Sequence, residues 1–118
     1  MTTPTRRRMY IVLRRDLSPT AAFLAYGHAT LGTYLTWQDD PIMQAWQRTS
    51  FVKIALGVAS HQELAWAKTL GEHRVFTEST LGNLETCLGF RVVERPDPRF
   101  KTLAPWVQPA LHAGPDSG

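Results

Sequence analysis

Between Asp16 and Asp39 the chain carries no acid, lysine or arginine, and that uncharged stretch limits what the whole can fold into. It opens as a helix does: Ser18 can cap, Pro19 suits the first helical position, and alanines follow. Ala21, Leu24, Ala25, His28, Leu31 and Leu35 fall on one stripe at the helical period. Phe23, Tyr26, Thr30, Tyr34 and Trp37 fall on the opposite one. A helix that is apolar nearly all round is packed on two sides. The pattern therefore predicts a helix from Pro19 to about Trp37 with neighbours on both faces. His28 within it is either a satisfied core histidine or a group that faces a site.

Around this helix the hydrophobic pattern alternates between strand and helix. Met9–Arg14 reads as a strand, a short β-branched and aromatic run bounded by charge. Asp39-Asp40-Pro41 breaks and restarts the chain, with Asp40 placed to cap a short helix through Met43 and Trp46. Ser50–Val58, SFVKIALGV, is a second strand whose apolar run, interrupted by Lys53, predicts a central position. Ser60-His61-Gln62-Glu63 is a capping box opening a helix through Leu64, Ala67 and Leu70 that stops at Gly71. Arg74–Thr77 and Cys87–Glu94 are the third and fourth strands, with a turn at Gly82-Asn83 and a short packed segment at Phe100–Trp106. Strands joined through helices favour parallel pairing, and strands joined by a short loop favour an antiparallel pair. The expectation is an α/β domain over 8–106, a small four-stranded mixed sheet flanked by helices, between a basic tail at 1–7 and a C-terminal tail at 107–118.

Several function classes are disfavoured. The single cysteine, Cys87, excludes an internal disulfide and suits a cytoplasmic compartment. No stretch approaches the roughly 18 apolar residues of a membrane span. The histidines at 28, 61, 73 and 112 lack metal-ligand spacing, and no phosphate loop or nucleotide fingerprint occurs, so neither metal nor cofactor is expected. Arginine outnumbers lysine ten to three, and five arginines (6, 7, 8, 14 and 15) precede the first acid, Asp16. Guanidinium suits phosphate and carboxylate recognition, although such a run also serves as a solvated tail.

Two places can carry chemistry. Asp16 directly follows the first strand, at the carboxyl edge where open α/β sheets bind ligands, unless it simply pairs with Arg14 or Arg15. The segment VFTESTLGNLETC crowds Glu78, Ser79, Thr80, Asn83, Glu85, Thr86 and Cys87 into one connection between strands, as a site or as a solvated turn. Trp37, Trp46 and Trp66, with Tyr34 and Phe23, exceed the needs of a small core and suggest a ligand pocket or a subunit interface.

VLRRDL, the helix carrying GHATLGTYL, and FVKIALGVAS-HQEL together resemble the type-2 peptidyl-tRNA hydrolases over roughly residues 8–96. In that family a V-R-x-D-L element ends the first strand, a Q-x-S-H-A-like element lies on the helix, and a K-I-V-L-like strand precedes a capped helix. The resemblance implies the same four-stranded mixed sheet and hydrolysis of an acyl ester on a tRNA-linked or related peptide. It aligns His28 with the family histidine and Ala21 with a lysine regarded as functional. For the family's D-A-G-x-T element, anchoring on Gly82 and Gly89 puts Thr80 at the aspartate and Leu84 at the threonine, with Gly82 and the acid at Glu85 retained. A different gap puts Glu78 or Ser79 at the aspartate.

Ester hydrolysis needs a positioned water, a proton acceptor and oxyanion stabilisation. The resemblance thus implies His28 as base or donor, Asp16, Glu78 and Glu85 as candidate acids, and Arg14, Arg15, Thr80 and Asn83 as substrate contacts. The losses at Ala21, Thr80 and Leu84 equally suit a non-catalytic binding module or accessory subunit with a protein partner. A hydrolase of a small acyl substrate is a third reading, and the aromatic first helix suits a homodimer.

Overall fold

The computed structural model describes residues 6–107. In chain order the elements are β1 (Arg8–Arg14), α1 (Pro19–Thr36), α2 (Pro41–Arg48), β2 (Val52–Val58), α3 (His61–Ala67), β3 (His73–Glu78) and β4 (Leu84–Phe90). The four strands form one sheet in the order β2-β1-β4-β3. β1 and β2 are parallel, Arg8 opposite Val52 through Arg14 opposite Val58. β4 is antiparallel to both β1 and β3. This is the expected mixed α/β sheet. It gathers the carboxyl ends of β1, β2 and β3 and the amino end of β4 along one edge.

Alternation along β1 sorts the core into two layers. Met9, Ile11 and Leu13 join Cys87, the alanines of α1, and Met43 and Trp46 of α2. Tyr10 and Val12 join Leu56, Val58, Leu88 and Phe90 against Leu64 and Ala67 of α3 and Phe100. The helix starts are capped where the residue types require. Ser18 Oγ accepts from the Ala21 amide at 3.2 Å, and the Asp40 carboxylate from that of Ile42 at 3.3 Å. Ser60 Oγ accepts from the Glu63 amide at 3.1 Å, while the Glu63 carboxylate reaches back to the Ala59 amide at 2.8 Å.

Three expectations need correction. β2 is an edge strand, not a central one. Its outer side is covered by the C-terminal segment: the Gly57 amide donates to the Ala104 carbonyl and the Trp106 amide to the Ala55 carbonyl, both at 2.9 Å. That cover explains a continuously apolar strand at an edge. The fourth strand runs Leu84–Phe90 and stops before Arg91, whose guanidinium is taken by Asp40 at 3.0 Å and Glu72 at 2.6 Å.

Thirdly, within the chain α1 is packed on one side alone among the described residues. Its buried stripe is Ala22, Ala25, Ala29 and Thr33, while Phe23, Leu24, Leu31 and Leu35 are each at least half exposed. The helix lies so close to β4 that only small residues fit between them. A Cβ on Gly89 would collide with Thr33 Oγ1 and come within 3.1 Å of the Ala29 carbonyl oxygen. His28 is exposed, beside this stripe rather than in it.

No helix among the described residues is long and apolar enough to cross a membrane. Residues 1–5 and 108–118, which hold most of the two expected tails, lie outside the described residues. At the amino boundary, Arg7 Nε lies 2.9 Å from Glu94 Oε1 and the Arg7 carbonyl accepts from Ser50 Oγ at 2.6 Å.

The close contact yields a paired prediction. Gly89→Ala overpacks the α1–β4 contact and lowers stability by about 1–3 kcal/mol. Gly27→Ala, where a Cβ meets open space, leaves stability unchanged or raises it by up to about 1 kcal/mol through helix propensity. Urea midpoints of the two variants against the parent check both.

Candidate functional site

The carboxyl edge of the sheet gathers most of the sequence candidates but divides them between its faces. Arg14 ends β1, and its guanidinium forks onto the Asp16 carboxylate at 3.0 and 2.8 Å. Arg14 holds the Asp16 carboxyl below the usual carboxylate range. The two charges satisfy each other, so Asp16 is a weak proton acceptor and Arg14 is not a free cation. Arg15 differs. Its guanidinium lies against Gly57, where a Cβ would come within 2.9 Å of Cζ. It has no acidic partner among the described residues.

A register shift in β3–β4 decides where the other acids go. Phe76 pairs with Cys87, but Thr77 pairs with Glu85 and Glu78 with Leu84. The bulged residue, Thr86, turns its hydroxyl to the Phe76 carbonyl at 3.2 Å. Unbroken pairing would set Glu78 opposite Glu85 on one face. The bulge instead turns Glu85 to the α3 face, where its carboxylate lies 2.9 Å from Lys68 Nζ and within electrostatic reach of His61. Lys68 lowers the Glu85 carboxyl below its ordinary range. Glu85 therefore belongs to a structural ion pair on the face away from His28.

Glu78 stays on the α1 face, in step with Phe76, whose ring approaches Gly32. One of its oxygens accepts from the Thr80 amide at 3.1 Å and the Thr80 hydroxyl at 2.9 Å. These bonds, followed by the charge of nearby His28, lower its pKa. His28 therefore stands within electrostatic reach of Glu78 across the α1–β3 flank, though no hydrogen bond joins them. Thr80 braces the carboxylate. Asn83 adopts a left-handed conformation at φ 61° after Gly82 at φ 67°, its amide donating to the Glu78 carbonyl at 2.9 Å. Asn83 is exposed on that turn.

The polar residues are accompanied by a cavity of about 240 Å³ under the start of α1, lined by Leu13, Pro19, Phe23, Tyr26, Ala55 and Trp106. It adjoins Arg15 through Gly57, the next residue of β2 on the same face as Ala55. The Trp106 indole donates to the Arg14 carbonyl at 2.8 Å and holds the cavity's outer wall. Burial pushes the Tyr26 phenol up from its ordinary value. Sequence reasoning missed Tyr26 and Trp106 as site residues. The available signal was the excess of aromatics, which that reading located at the other tryptophans.

Cys87 is not a nucleophile. It is buried, with Sγ 3.4 Å from the Ala25 carbonyl, and burial pushes its thiol up to about 12. Among the described residues no group of three or more His, Cys, Asp or Glu side chains is arranged to hold a metal ion.

Asp16, Glu78 and Glu85 all have lowered pKa values in the folded chain. Each therefore stabilises the fold above the ordinary carboxylate range, and that contribution is lost as pH falls from about 4 through the folded-state values. Urea unfolding at a series of pH values is expected to show falling stability below about pH 4. Asp16→Asn should flatten that fall while changing little at acid pH.

The family model described as Peptidyl-tRNA hydrolase PTH2 matches residues 7–90. No curated protein sequence matches the chain significantly.

Proposed function

The chain belongs to the peptidyl-tRNA hydrolase PTH2 family, and from that premise we propose that it hydrolyses the ester joining a peptide or N-blocked amino acid to tRNA. One observation carries the reading: Glu78 lies within electrostatic reach of His28, its carboxylate fixed through one oxygen by Thr80 and the other oxygen without a hydrogen-bond donor among the described residues. Ionised Glu78 orients a water. The water oxygen attacks the ester carbonyl carbon while His28 takes its proton, the acyl–oxygen bond breaks, and His28 returns that proton to the departing tRNA 3′ oxygen. Arg15, unpaired by any acid among the described residues, meets phosphate. The Asn83 carboxamide, exposed on the turn after β3, bonds the substrate. We assign the activity to the cytoplasm, which a single buried thiol and a tRNA-linked substrate both suit.

A second reading is favoured by the ion pairs. Asp16 is occupied by Arg14 and Glu85 by Lys68, so a chain that binds without hydrolysing keeps the fold and loses nothing visible. Release of the acyl group from N-acetyl-aminoacyl-tRNA separates the two. His28→Ala and Glu78→Gln are each expected to slow release by about 10²–10⁴-fold, while Glu85→Gln lowers stability and leaves release unchanged. Release that is absent from the parent selects the binding module, whereas release indifferent to both substitutions keeps a hydrolase and overturns the roles given to His28 and Glu78.

The exposed side of α1 further supports a homodimer. Leu24, Leu31 and Leu35 are 52, 60 and 50 % exposed on a helix with no acid, lysine or arginine. Such a stripe is self-complementary in a two-fold pairing, and since His28 lies on it between Leu24 and Leu31, the pairing brings the His28 sites of the two chains to the interface. Light scattering is expected to give twice the chain mass for the parent and the single chain mass for Leu31→Glu.

A further inference from the structure

A second cavity, of about 340 Å³, opens by the amino end of β2 on the α1 face, at the opposite end of that strand from the carboxyl edge. Its wall is built from Leu31 and Tyr34 of α1, Trp46 and Gln47 of α2, and Phe51 and Lys53 at the entry to β2. Ligand sites begin at roughly 300 Å³ and are apolar with a few converging polar groups. A dry cavity of about 150 Å³ holds a benzene ring. This one is therefore sized for one or two rings with a short substituent.

Its charge is single. Lys53 Nζ stands 3.3 Å from the centroid of the Phe51 ring and 5.5 Å from that of Trp46. It donates to the Phe51 carbonyl at 3.0 Å and has no carboxylate partner among the described residues. An ammonium offers three donors, so two are left over. Burial pushes the Lys53 pKa down, a desolvation cost that an incoming anion offsets.

Phe51 is held against its own backbone preference. Its φ is 54°, in the left-handed region, with its amide bonded to the Trp46 carbonyl at 2.8 Å where the chain leaves α2. Glycine is the ordinary residue at such a helix exit, and a bulky side chain there is strained. The core recovers little of that strain, because Phe51 remains 53 % exposed. What the conformation does achieve is to lay the ring over Lys53 and within 5.1 Å of Trp46. Strain held without burial is a mark of ligand-binding positions.

We propose that this cavity binds a small monocarboxylate with a flat apolar body of one or two rings, the carboxylate on the Lys53 ammonium and the rings against Trp46 and Phe51. One cation in an apolar wall matches a monoanion. A phosphate dianion would keep an uncompensated charge in an aromatic pocket. This site is independent of the carboxyl edge and of whether the chain hydrolyses anything there.

The test uses 4-phenylbutyrate and its neutral amide, titrated into the ¹⁵N-labelled full chain. The readout is the Trp46 indole N–H, identified by its loss in Trp46→Phe and fixed in the parent by its bond to the Val52 carbonyl at 2.8 Å. The acid is expected to shift that resonance saturably and to bind about tenfold more tightly than the amide, the usual scale of one charge-assisted contact. Lys53→Gln should remove that preference. Phe51→Gly should weaken both probes while leaving the urea midpoint equal to or above the parent's. The proposal is overturned by no saturable shift, by equal binding of acid and amide, by Lys53→Gln leaving the acid's affinity intact, or by Phe51→Gly lowering stability, which would make the ring part of the fold.

Discussion

The structure depends on how closely α1 approaches β4. Ala29 and Thr33 rest on Gly89 with no room for a Cβ between them, and Gly32 gives way to the Phe76 ring in the same manner. A helix seated on small residues gains backbone proximity and many short dispersion contacts. It also puts its large side chains on the flanks. Phe23, Tyr26 and Tyr34 overhang the β2 side, where α1 does not cover the sheet, and there the two cavities form. Leu24, Leu31 and Leu35 turn outward. One steric constraint therefore accounts for the helix position, the cavities and the exposed apolar stripe.

Electrostatics partition the carboxyl edge in a comparable way. Each acid drawn to it has its own partner: Asp16 has Arg14, Glu85 has Lys68, and Glu78 has Thr80 with His28 nearby. The first two are closed pairs whose charges cancel locally. The third is open, because a neutral hydroxyl and an amide fix the carboxylate without neutralising it. Arg15, lying on Gly57, is the cation left over. The proposed binding of an anionic, ester-linked substrate rests on this pair and this cation, the groups left uncommitted among the described residues.

Much of this architecture was legible in residue order. Ser18, Asp40 and Ser60 announced three helix starts, because a capping side chain acts on amides two or three residues away. The apolar run of β1 announced a strand, and the V-L-R-R-D-L and G-H-A elements carried the family. Local chemistry leaves local marks. The cover on β2 left none, since Ala104 and Trp106 lie far from it in sequence and pair through backbone groups that any residue supplies.

The candidate site was legible only as an inventory. His28, Glu78, Thr80 and Asn83 were on it, but so were Asp16 and Glu85, and nothing in the residue types separated them. One bulged residue, Thr86, separates Glu78 from Glu85, because side chains alternate between faces and a single extra residue reverses the alternation. A strand's register belongs to the pairing of two segments, not to either alone. By itself the sequence determined the elements, their caps, their order and the fold family, all consequences of interactions a few residues long or of a pattern repeated along one element. Tertiary structure alone decided which face of α1 is buried, which acid comes within electrostatic reach of His28 and where the cavities open. Those outcomes turn on how closely a helix fits a sheet and how two strands fall into register.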